Sequence, residues 1–112
     1  MIVVKNKAVL NEFSLTMTPI SWGDFIKSIC RRNGNNMIIN IFPFRMSSVI
    51  TINEMVKVKL SGSNLSLCCR NTIITLGQND IISVSTNESL ASSTGVSYLL
   101  NLKNSTSIAI TS

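Results

Sequence analysis

The chain has 112 residues, enough for one domain with a single core, and its 45% hydrophobic and 13% charged content excludes the disordered class. Ten Lys and Arg against five Asp and Glu give a net charge of +5 and a pI near 9.5, which favours an acidic partner. There is no histidine, which removes the commonest general base, every Ser-His-Asp or Cys-His arrangement and most metal-site patterns.

Much of the polar content is Ser, Asn and Thr, whose short side chains suit strands, turns and caps better than helix interiors. A surface with so few charges is a weak barrier to association and favours an oligomer or an obligate partner. No apolar run reaches the roughly 18 residues that a membrane-spanning helix needs. Residues 1–17 carry Lys5, Lys7, Asn11 and Glu12 where a signal peptide would be apolar. The three cysteines, two of them adjacent at Cys68 and Cys69, are unlike a disulfide framework. Together these features point to the cytoplasm.

In chain order, Ile2 to Val4 and then Phe13, Leu15 and Met17, alternating with Ser14 and Thr16, read as strands. Trp22, Phe25, Ile26, Ile29 and Cys30 fall at i, i+3, i+4, i+7 and i+8, which predicts one amphipathic helix over about 21–32. Ser21 is its N-cap, Arg31 and Arg32 complement its C-terminal dipole, and Asn33-Gly34 supplies the C-cap. Residues 37–42 read as a strand stopped by Pro43.

From Val49 the chain alternates in short runs punctuated by turn residues. Ile50 and Ile52 form one run, and Val56, Val58 and Leu60 form another with Lys57 and Lys59 facing water. A turn at residues 61–64 leads into a hairpin that joins Leu65, Leu67 and Cys69 to residues 73–76 through Arg70-Asn71. Residues 77–80 turn the chain into Ile82 and Val84, and Asn104-Ser105 joins Val96, Tyr98, Leu100 and Leu102 to Ile108 and Ile110. Residues 86–95 form the longest polar stretch and read as a surface loop that can display Glu88 and Ser92. The expectation is one α+β domain spanning 1–112, a mostly antiparallel β meander, sandwich or small barrel with one helix near its N-terminus.

Catalytic chemistry has little to work with. Cys30 lies on the apolar helix face and Cys69 shares the parity of Leu65 and Leu67, so both read as core residues, while Cys68 points the other way. The five acids, Glu12, Asp24, Glu54, Asp80 and Glu88, show no recurring spacing, and the five glycines are dispersed one per cap or turn rather than gathered in a phosphate loop. No catalytic residue, metal site, cofactor or small-molecule substrate is indicated.

Lys27, Arg31 and Arg32 share the exposed side of the helix and, with Arg45, make the basic patch that a nucleic acid would use, with Tyr98 and the Phe42/Phe44 pair as the stacking platforms left to it. A helix followed by short strands resembles, in topology alone, the small RNA-binding barrels of the Sm type. In size and in its Asn-, Ile-, Ser- and Lys-rich, charge-poor composition, the chain is similar to small bacterial immunity proteins. That resemblance implies a non-enzymatic interaction module that binds and neutralises a toxin domain. The alternatives are a nucleic-acid-binding β domain and a subunit of a homo-oligomeric or phage assembly.

Overall fold

Ser21 sits in extended backbone and its hydroxyl accepts the Asp24 N–H at 3.0 Å, which starts α1, Trp22–Cys30. Phe25, Ser28 and Ile29 are the buried face of this helix. Its exit is shaped by Gly34, whose φ of 85° is open to glycine at little cost. The chain is described by a computed structural model over residues 17–45, 48–87 and 95–112. The strand expected at Ile2 to Val4 lies outside the described residues, as does the Phe13 to Thr16 part of the next one. Met17 itself is not in a strand.

Among the described residues, nine strands make two antiparallel sheets. The larger contains β1 (Thr18–Ile20), β2 (Asn36–Phe42), β3 (Ile50–Met55), β7 (Ile81–Thr86), β8 (Ser97–Leu102) and β9 (Ser107–Thr111), in the order β1-β7-β8-β9-β2-β3. The smaller contains β4 (Lys57–Ser61), β5 (Asn64–Cys68) and β6 (Ile73–Gly77), in that order. A 3-10 turn at Gln78–Asp80 links β6 to β7. The expected α+β architecture, mostly antiparallel strand with one α-helix, is what the described residues form.

The two sheets share one run of chain that bends at Val56. Asn36 pairs with Met55 at the end of the β2–β3 ladder, and the Val56 N–H donates to the Asn35 carbonyl at 3.0 Å while Gly34 donates back to Val56 at 2.8 Å. One residue further on, Lys57 is already opposite Cys68 in the smaller sheet. Val56 at this corner is fully buried.

The inner faces follow from register. Ile39, Ile110, Tyr98 and Thr86 form a row across the larger sheet, and Leu65, Leu67 and Leu76 cover the smaller one. With Phe25 and Ile29 of the helix, these apolar side chains belong to one core cluster. Tyr98 meets Phe25 edge to face at 5.3 Å and shares a 2.5 Å hydrogen bond with the Ser28 hydroxyl, which satisfies both buried oxygens. Leu60 shares the parity of Val56 and Val58, yet next to its turn it is 52% exposed.

The outer face of the larger sheet explains the Asn, Ser and Thr content. Asn101 donates to Ser83 at 3.1 Å and accepts from Ser107 at 2.8 Å, Thr51 donates to Asn40, and Asn36 donates to Asn53. Short side chains on adjacent strands thus satisfy one another where another sheet would carry charges.

Candidate functional site

Edges separate the places where a partner can dock. An unpaired strand edge presents a row of N–H and C=O groups, and proteins guard such rows with proline, lysine, bulges or short length. β1 is three residues long and contains Pro19, and β4 carries Lys57 and Lys59. The Thr75–Leu76 part of β6 lines a groove of about 260 Å³ opposite Leu102, Lys103 and Asn104.

β3 lacks the proline, lysine and bulge of a guarded edge, and its one charged side chain is Glu54. Among the described residues it pairs with β2 alone, in unbroken register from Ile50 to Met55. Ile50 is 50% exposed and Met55 63% exposed, and the strand contains no lysine or proline. Thr51 and Asn53 face outward and their side chains hydrogen-bond those of Asn40 and Asn36 on β2. The strand therefore offers a straight backbone edge with an apolar side chain at each end.

The edge ends at the corner, where a groove of about 410 Å³ is lined by Glu54, Met55, Lys57, Cys68, Cys69 and Arg70. A Glu54 carboxylate oxygen accepts the backbone N–H of Arg70, which ties the β5–β6 turn to β3. The Cys69 thiol packs against the core and its S–H points to the Leu67 carbonyl at 3.9 Å. Burial, first, and then the negative charge of Glu54 and the neighbouring Cys68 push its pKa up, away from a reactive thiolate. Cys68 lies on the opposite face, in register with Lys57, so the parity expected of the two cysteines is the parity found. No group of three or more His, Cys, Asp or Glu residues gathers in metal-binding geometry among the described residues.

The residues expected to bind a partner are scattered. Lys27 and Arg31 are exposed, and Arg32 is half-buried. Arg45 stands beyond the far end of β2, with its guanidinium 5.0 Å from the Phe44 ring centre. Six strand steps, about 20 Å, separate the two ends of β2, so Arg45 does not join the helix arginines in one patch. Tyr98 is fully buried, and its ring and hydroxyl are engaged by Phe25 and Ser28, so it offers no stacking platform. Glu88 and Ser92 lie outside the described residues.

What the sequence reading missed is the neighbourhood of the corner. The Asn33 side chain accepts the Val58 N–H at 2.7 Å and Gly34 bonds to Val56, which brings the end of the arginine-bearing helix beside Lys57. The signal was present as Asn33-Gly34 after a helix, but its partner is some 25 residues further along the chain. No helix is long and apolar enough to cross a membrane among the described residues. No family model, curated protein or solved structure matches the chain.

Proposed function

We propose that the chain is a non-enzymatic protein-interaction module that takes an extended segment of its partner along β3. The observation that carries this reading is an edge free of lysine, proline and bulges, with Ile50 and Met55 exposed at either end of a strand that pairs on one side among the described residues. Edge N–H and C=O groups are best matched by another strand, whose backbone supplies affinity while alternate side chains against Ile50 and Met55 supply selectivity. The residues support binding better than catalysis: histidine is absent, and the Cys69 thiol is pushed up rather than down.

The partner class favoured by size and composition is a toxin domain that the chain neutralises in a 1:1 complex. With a net charge of +5 on this chain, such a partner would carry an acidic surface around its docking segment.

The test is purification of the tagged chain from its native host after nuclease treatment, beside an Ile50→Lys/Met55→Lys variant matched for thermal stability. The reading expects a stoichiometric protein that the variant retains at least about tenfold less, the equivalent of about 1.4 kcal/mol of binding. Equal retention by both forms, or no stoichiometric protein, would overturn it. A solution mass of two copies with no second protein would replace the heterologous partner with self-pairing.

A further inference from the structure

Independently of the β3 edge, we infer that the outer face of the smaller sheet binds the phosphate backbone of single-stranded nucleic acid. Three rows of residues cross this face in register, the third being Ser61, Asn64 and Gly77 at its far end. Lys57, Cys68 and Ile73 form the first, and Lys59, Ser66 and Thr75 the second. Lys57, Lys59, Ile73 and Thr75 are exposed, and the Ser66 and Thr75 hydroxyls lie 3.2 Å apart. Exposed Arg70 follows at the β5–β6 turn, and the hydrogen bonds of Asn33 and Gly34 to the Val56–Val58 stretch bring exposed Arg31 to the same corner.

Charge identifies the ligand. The first two rows contain no acid, and the two carboxylates nearest this face, Glu54 at the corner and Asp80 beside Gly77, are outnumbered by Lys57, Lys59, Arg70 and Arg31. A surface with a surplus of cations drawn from three elements complements a polyanion. Lys57 and Lys59 are two residues apart on one strand and therefore about 6.6 Å apart along it. That interval is close to the spacing of successive phosphates on an extended single strand. Hydroxyls in the second row can donate to phosphate oxygens, and Ile73, 67% exposed, offers an apolar contact for a base. The face has no aromatic side chain, so it reads backbone rather than sequence.

The experiment is fluorescence anisotropy with a labelled 20-nucleotide thymidine oligomer, at a series of salt concentrations. Wild type is compared with Lys57→Glu/Lys59→Glu and with Thr18→Glu/Phe44→Glu/Arg45→Glu. Both variants fall from +5 to +1, the first by two reversals of two units and the second by one reversal and two added acids, and all five positions are exposed. The expected result is at least a tenfold loss in the first variant and less than about a threefold loss in the second. A Lys57→Gln/Lys59→Gln variant should lower the slope of log affinity against log salt by about 1.4, two contacts at about 0.7 each.

Equal losses in the two charge-matched variants would show that net charge alone is read, and would overturn the site. So would the absence of binding at low salt, or binding confined to vesicles of anionic lipid. If the Glu pair unfolds, the Gln pair decides: an unchanged salt slope overturns the proposal.

Discussion

At the scale of single residues, the two adjacent cysteines show how one step along a strand changes chemistry. Cys69 turns toward the core beside Glu54, whereas Cys68 shares the outer face with Lys57. Burial and the Glu54 charge both favour the neutral Cys69 thiol, so its alkylation should follow a pH profile whose midpoint lies above that of an ordinary cysteine. In a Cys68→Ser background, Glu54→Gln should move that midpoint down by removing a negative neighbour. It should remain above the ordinary value, because burial is the larger cause. Iodoacetamide rates at Cys69, followed by mass spectrometry from pH 7 to 11, measure this; a profile unmoved by Glu54→Gln would contradict the assignment.

At the scale of elements, some of the fold was legible in the sequence and some was not, and the difference is one of range. The helix could be read because its stripe and N-cap are local and agree. It ends at Cys30 with Arg31 as C-cap, two residues short of the expected end, because Asn33 and Gly34 bond to Val58 and Val56 instead. The hairpins could be read because residues 61–64, 70–71 and 104–105 have turn chemistry. β1 could not, since Pro19 argues against a strand; an edge position tolerates it because its missing N–H is needed only on a paired side. The corner at Val56 was equally hidden. Ile50, Ile52, Val56, Val58 and Leu60 keep one parity throughout, so the passage from one sheet to the other leaves no break in the pattern.

Two glycines test how these elements are closed. Gly34 has φ 85° with open space around the position of a Cβ, so Gly34→Ala should cost only the left-handed backbone penalty, about 1–2 kcal/mol. Gly95 has φ 127°, and a Cβ there would sit 2.6 Å from the Ser112 carbonyl oxygen, next to the paired bonds between Val96 and Ser112. Gly95→Ala should therefore destabilise more than Gly34→Ala in urea unfolding, and the reverse order would show that the Val96–Ser112 pairing does not close the sheet.

At the scale of the whole molecule, the low charge content has a structural counterpart. Asn, Ser and Thr satisfy one another across the outer face of the larger sheet, while Arg31, Lys57, Lys59 and Arg70 collect near the corner. The candidate site was legible only in part, because the helix arginines could be seen in sequence but their neighbours come from strands that pairing brings to them. That β3 lies at an edge among the described residues was not legible at all, since which strand lies at an edge is a property of sheet order and not of local pattern.

That edge is the central claim, and hydrogen exchange on the complex purified through the tagged chain tests it most directly. Free chain and complex are compared amide by amide. Docking along β3 predicts that protection gained in the complex concentrates in residues 50–55, at the N–H groups that do not face β2. Protection gained elsewhere, with β3 exchanging as fast as in the free chain, would contradict it.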